Sequence, residues 1–305
     1  MAWKIPNPLL QKMLKIAALG LGGSVLGLAL IYASYCLRRP ARSFQVRSLF
    51  SGIDYTRYTR ESPRPLVFHV VSVDLTVPGI RFLVTPPGAA PPGKETLADT
   101  VPGFLEAHGV QVAINGSFFY PMHVHHPLDY APHVGEGVNV VGLSISEGNR
   151  YSEVEAGWAT LCIVSPQEIT IEASGECPAN TVHGLAGDRM IIKDGQITSA
   201  TDHHALYPRT VVALDQAKKT LWLVIVDGRQ KGYSEGLSLA ELAEELIQLG
   251  ADQALNLDGG GSSTLAVEDN GQARVLNAPI QARVPTNLRP VANHLGIYAD
   301  QEKAE

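Results

Sequence analysis

Apolar and polar positions divide the chain into one long uncharged run and a series of short, closely spaced runs. Residues 16–37 hold 22 positions without a charge. At about 1.5 Å per residue, a helix of that length spans roughly 33 Å, enough for the hydrocarbon core of a bilayer. A cleaved signal peptide normally has a shorter apolar region, and no convincing small-x-small cleavage site precedes Arg38. Bulky Tyr35 before Cys36 disfavours lipoprotein processing. The run therefore reads as an uncleaved transmembrane anchor after a short cytoplasmic segment, residues 1–15. Basic residues flank both ends, so the positive-inside rule leaves orientation open. The Gly23 to Gly27 spacing is weak evidence for helix pairing in so glycine-rich a chain.

Beyond the anchor, 38–65 is polar and irregular and reads as a linker with a short strand or turn, leaving 66–300 as one domain. Apolar stretches predict strands at 66–74, 80–84, 110–114, 140–146, 159–164, 169–172, 190–193, 210–214, 221–226 and 294–298. Asp194-Gly195 is a hairpin turn signal. Residues 97–108 read as a short helix stopped by Gly109, and 120–137, rich in proline and histidine, as a long surface loop. The clearest helix is 239–249. Ser238 and Glu241 make a capping box, Leu239, Leu242, Ala243, Leu246 and Leu249 share one face, and Gly250 suits a left-handed cap. Apolar runs flank it, so strand, helix and strand form one β-α-β crossover with parallel strands. The expected fold is α+β, or mixed α/β: a twisted β-rich domain with few helices.

Composition fits a folded domain, with 45% hydrophobic and 18% charged residues. The first 47 residues carry seven basic and no acidic side chains, leaving 17 basic against 30 acidic groups in the rest. So acidic a domain makes nucleic acid an unsuitable partner, while the basic start fits anionic lipid. Cys162 and Cys177 can pair outside the cytoplasm, or stand as a buried thiol and a free one. No CxxC occurs, which argues against structural zinc.

Candidate chemistry gathers at strand ends. Asn256-Leu257-Asp258 runs into Gly259, Gly260, Gly261, Ser262, Ser263 and Thr264. Glycines let backbone approach a ligand and let successive N–H groups face one anion. No lysine follows, excluding a Walker loop, and the strand-like 264–267 excludes a dinucleotide fingerprint. Asp227-Gly228-Arg229 ends another strand and offers a carboxylate and a cation. Asn115-Gly116 ends a third, Arg209-Thr210 opens a fourth, and Arg289 and Asn293 precede the last. His123, His125, His126 and His133, with Asp129 and Glu136, invite a metal reading. Without HExxH, they are taken as solvated loop residues, as are His203 and His204.

The segments NGSFF (115–119), VVGLSISEG (140–148), PRTVVAL (208–214) and RPVANHLGIY (289–298) resemble the phosphodiester glycosidase family. So does the whole of 223–265, the most specific segment, from LVIVDGR to LDGGGSSTL. The histidine-rich insertion departs from the family pattern. The resemblance implies hydrolysis of a sugar-1-phosphodiester in extracytoplasmic glycan or exopolysaccharide metabolism, with the domain on the non-cytoplasmic side. It implies catalytic roles for Asp258, Asp227 and Arg209, and substrate contacts from Asn115, Gly116, Thr210, Arg229, Ser234, Asn256, Gly259–Gly261, Ser262, Ser263, Arg289 and Asn293. An arginine fork suits the permanent phosphodiester charge. A carboxylate must activate water or steady an oxocarbenium-like centre, with Asp258 first and Asp227 second, nucleophile and base both open. A glycan or sugar phosphate is the expected partner; no cofactor or metal is implied. The alternatives are a non-catalytic carbohydrate-binding or envelope-assembly protein and a metal-dependent phosphoesterase.

Overall fold

The computed structural model describes residue 12 and residues 26–88, 90–198 and 204–301. The chain forms two compact units, Met1–Arg39 and Pro40–Glu305. In the first, residues 26–37 are helical, and Leu26, Leu28, Leu30, Ile31 and Tyr32 are all exposed. Residues 16–25 of the expected anchor lie outside the described residues. Among the described residues, no helix is long and apolar enough to cross a membrane.

The second unit is β-rich. Its largest sheet orders the strands Gln45–Phe50, Ile53–Arg60, Leu66–Asp74, Thr220–Val226, Arg209–Asp215, Ala251–Asn256, Arg189–Lys193 and Gln196–Ile197. Neighbouring pairs in it are antiparallel. The central strands are continuous apolar runs because both faces are covered. Val211, Ala213, Val224 and Val226 pack with Leu239, Leu242 and Leu246 of the helix Leu239–Leu249. The alternate residues Val212, Leu214, Leu223 and Ile225 enter a core shared with two five-stranded sheets.

One of these runs Gln272–Val275, Leu265–Asp269, Val112–Asn115, His294–Tyr298 and Arg81–Val84, with the helix Val101–His108 packed on the face turned from the main core. The other runs Asn149–Ser152, Ser144–Ser146, His183–Gly187, Ala159–Ser165 and Glu168–Glu172. Cys162 and Cys177 are joined in a disulfide.

The helix Leu239–Leu249 begins and ends where its sequence signals lie. Ser238 Oγ accepts from Glu241 N (3.2 Å), Glu241 Oε2 accepts from Ser238 N (2.9 Å), and Gly250 takes φ 99°. The strands on either side of it run parallel, as expected, but do not pair. Arg209–Asp215 lies between them, antiparallel to both. The tight turn after Asp215 folds that strand back on Thr220–Val226 and takes the place a parallel neighbour would occupy.

Two sequence expectations are corrected. The stretch 38–65 is not simply a linker, because Gln45–Phe50 and Ile53–Arg60 extend the large sheet, and the compact unit begins at Pro40. Ile53 and Tyr55 are buried there, while intervening Asp, Thr and Arg residues mask the alternation. The stretch 120–137 is not one loop either. His123–His126 pairs with Asp129–Ala131 in a hairpin.

Candidate active site

The strand Ala251–Asn256 ends beside the start of Arg209–Asp215, and the chain then passes through 257–264 before re-entering a sheet at Leu265. This bend forms one wall of a cleft of about 440 Å³. Asp258, Asn256 and Gly259–Gly261 line it with Arg209, Arg229 and Arg289. Asp188, Arg189, Tyr207, Pro208, Phe118, Met122 and Leu239 complete it.

Asp258 is fixed from behind. Its N–H donates to Gly116 O (3.1 Å), and its carbonyl accepts from Asn115 Nδ2 (2.6 Å). Its Oδ2 accepts from Ser262 Oγ (2.6 Å), and that hydroxyl accepts from Arg289 Nη1 (3.2 Å). Burial pushes the Asp258 carboxyl up to about 6, with Asp188 adding to the rise. The Ser262 hydroxyl, the Arg289 charge and the Gly259 N–H pull the other way without reversing it.

The arginines differ in how far they are committed. Arg289 is buried and donates Nε–H to Gln281 Oε1 (2.8 Å). Burial lowers its pKa, against the opposing pull of Asp258. Arg209 spends Nε on Leu237 O (3.1 Å) and Nη2 on Ala205 O (2.7 Å), so it braces backbone as well as lining the cleft. Arg229 is exposed, stacks over Tyr207 at 4.6 Å, and makes no ion pair among the described residues. It is the cation freest to meet an anion.

The structure separates the sequence-derived candidates into cleft and scaffold. Asp258, Arg209, Arg229, Asn256, Gly259–Gly261 and Arg289 share the cleft. Asp227, the second-choice catalytic carboxylate, does not line it. Buried, it meets His69 Nε2 (3.0 Å) and accepts from Asn277 Nδ2 (3.0 Å) and Ala278 N (2.9 Å). Ser234 is likewise buried, donating to Asp227 O (2.6 Å) and accepting from Val67 N (3.0 Å).

Asn115, Thr210 and Ser263 form a buried hydroxyl-amide cluster. Thr210 Oγ1 donates to Asn115 Oδ1 (2.9 Å) and lies 3.1 Å from Ser263 Oγ. Asn293 Oδ1 accepts from Ser117 N (2.7 Å), its Nδ2 donates to Ser144 Oγ (3.1 Å), and Gly116 packs against it. Ser262 reaches Asp258 but is itself fully buried. These residues shape the cleft from behind. A polar residue at a strand end can point to either side, and sequence alone does not choose.

The glycines also act differently from the sequence expectation of an amide cradle. Gly260 N–H donates to Pro208 O (2.9 Å), which turns it away from the cleft as a donor. A side chain at Gly261 would strike the Arg289 guanidinium, so its bare Cα admits the arginine. Gly260, at φ 62°, turns the bend, with Arg229 close by.

Sequence reasoning missed Asp188, Arg189 and Tyr207. The Gly187-Asp188-Arg189 step between two strands resembles any tight connection, so its sequence carried no site signal. Of the histidine-rich segment, only Met122 lines the cleft. His123 meets Asp129 (3.3 Å) and His133 meets Glu136 (3.4 Å). Among the described residues, no three His, Cys, Asp or Glu side chains converge on a metal position. His203 lies outside the described residues.

Solved structures share this fold. A hypothetical protein from Synechocystis superposes with a TM-score of 0.61 at 16% identity, over 84% of this chain and 64% of that one. This chain thus spans less than two thirds of that protein's length. The catalytic domain of zebrafish N-acetylglucosamine-1-phosphodiester alpha-N-acetylglucosaminidase, auto-inhibited by its pro-peptide, gives 0.54 at 21% identity, over 87% and 92%. A putative exported protein of Burkholderia pseudomallei gives 0.58 at 14%, over 85% and 97%. At these identities the likeness is one of fold. No curated protein matches the chain. The phosphodiester glycosidase family matches residues 108–298, which is more than half of the chain and holds every candidate site residue. On that match the chain belongs to the phosphodiester glycosidases, a family of hydrolases.

Proposed function

We propose that the chain hydrolyses a sugar-1-phosphodiester at the bond between C1 and the phosphate oxygen. The observation that carries this is the cleft itself, which sets Arg229, without an ion pair among the described residues, and Arg289 against Asp258. The phosphodiester lies toward the arginines, and C1 faces Asp258. Water attacks C1 as the C1–O bond breaks. The bonding pair leaves with the phosphate, and the water's proton passes to the Asp258 carboxylate. The departing phosphomonoester has a second pKa of about 6, so it needs little help from a general acid. The arginines meet the charge that develops on it.

A carboxyl at about 6 is a stronger base than an ordinary aspartate and is still ionised at neutral pH. Because the ionised form works, kcat/KM should rise with pH through about 6 and level off above it. A profile that falls above pH 6 would make Asp258 a proton donor instead. Hydrolysis of a panel of sugar-1-phosphodiesters by the full chain in detergent tests the activity, and silence toward every member would count against it.

We further propose that the domain works on the non-cytoplasmic side, held by the apolar N-terminal segment. The Cys162–Cys177 disulfide supports an oxidising compartment. The helical residues 26–37 keep apolar side chains exposed, as a lipid-facing helix does. Protease applied to the non-cytoplasmic face of sealed vesicles should degrade the 40–305 unit, and its protection would overturn the placement.

A further inference from the structure

The side of the cleft formed by Asp188 and Asn256 has acceptors with unused capacity. Asp188 is the single residue between the strands His183–Gly187 and Arg189–Lys193, which belong to different sheets. Its N–H donates to Asn256 O (3.1 Å), its Oδ1 accepts from Asn256 Nδ2 (2.7 Å), and its Oδ2 accepts from Arg189 Nε (2.8 Å). One donor on each oxygen fixes the carboxylate and leaves lone pairs unused. Asn256 is 3% exposed, and its Oδ1 has no hydrogen-bond partner among the described residues. Both residues line the cleft.

A phosphate does not belong on that side, since carboxylate and amide oxygens repel it. A group that brings hydrogen-bond donors does. A sugar offers hydroxyls, and an acylamino sugar offers an N–H as well. We infer that Asp188, held by Asn256 and Arg189, is the sugar-recognition carboxylate of this cleft, accepting hydrogen bonds from glycosyl hydroxyl or amide groups while the phosphate lies toward Arg229 and Arg289. The inference rests on the phosphodiester reading above and adds which wall reads the sugar. It places Asp188 in substrate binding, with Asp258 keeping the proton transfer.

The test is calorimetric binding to the full chain in detergent, with a hexose 1-phosphate, its monodeoxy analogues and inorganic phosphate as probes. In the wild type, the hexose 1-phosphate should bind more tightly than phosphate, and at least one deoxy analogue should bind about tenfold more weakly than its parent. Asp188→Asn keeps shape and removes charge. It should weaken the hexose 1-phosphate by about tenfold to a hundredfold, erase most of the deoxy penalty, and leave inorganic phosphate within about twofold. Retained phosphate binding shows that the variant is folded. If hexose 1-phosphate affinity is unchanged, or hexose 1-phosphate and phosphate weaken equally, Asp188 is a structural tie and the inference fails. Phosphate binding without any gain from the sugar overturns the sugar wall alone. A wild type that binds neither probe overturns the phosphodiester reading and the inference with it.

Discussion

Asp258→Asn should lower turnover by about a thousandfold or more without lowering the melting temperature at neutral pH, since a positioned base contributes on the order of 10²–10⁴. The thermal part follows from the direction of the pKa change. Folding raises the Asp258 carboxyl from 3.8 to about 6, so the fold favours its protonated form. That contribution is fully present below 3.8 and is lost as pH rises through about 6. Above that pH, the buried charge costs roughly 3 kcal/mol, which the asparagine does not carry. The variant should therefore melt several degrees higher than wild type at pH 7.5 and level with it near pH 4. Rate assays beside melts at the two pH values check both halves. Wild-type turnover would remove Asp258 from the reaction, and a collapsed melt would make it structural.

Asp227→Ala should do the reverse, destabilising the domain by about 3–5 kcal/mol. The substitution strands His69 Nε2, one N–H of Asn277 Nδ2 and the Ala278 N–H, all buried around the lost carboxylate. A buried donor left without an acceptor loses its water and gains nothing in return. Asn277 Nδ2 also donates to Ser263 O (3.0 Å), so the damage extends to the back of the glycine bend. The expected readout is a melting temperature about 10 °C lower or more, at about 2–4 °C per kcal/mol for a domain of this size. An unshifted melt with turnover abolished would return Asp227 to the reaction.

Much of this fold is legible in the sequence because several local signals agree. Around 239–249, the capping box, the apolar face and the terminal glycine all specify one helix, and the structure places it there. The doubly covered strands Leu66–Asp74 and Thr220–Val226 read as continuous apolar runs. The strands at 45–60 are less legible, since only Phe50, Ile53 and Tyr55 are buried hydrophobics there and charged residues lie between them. The same limit governs the site. Asp258 and Asp227 both follow buried strands and look equivalent in sequence, yet one turns into the cleft and the other into a hydrogen-bonded interior. Asp188 is held in the cleft wall by its contact with Asn256, 68 positions away, which no local pattern records. A backbone amide that looks available in the glycine run, that of Gly260, is already spent on Pro208 O.

Hydrolysis in ¹⁸O-labelled water asks directly which bond breaks. The full chain is incubated with a sugar-1-phosphodiester that it turns over, and both products are weighed by mass spectrometry. Attack at C1, with Asp258 taking the water's proton and the arginines holding the phosphate, predicts one ¹⁸O on the released sugar and none on the phosphomonoester. Label in the phosphomonoester would mean attack at phosphorus and would contradict the roles assigned to Asp258, Arg229 and Arg289.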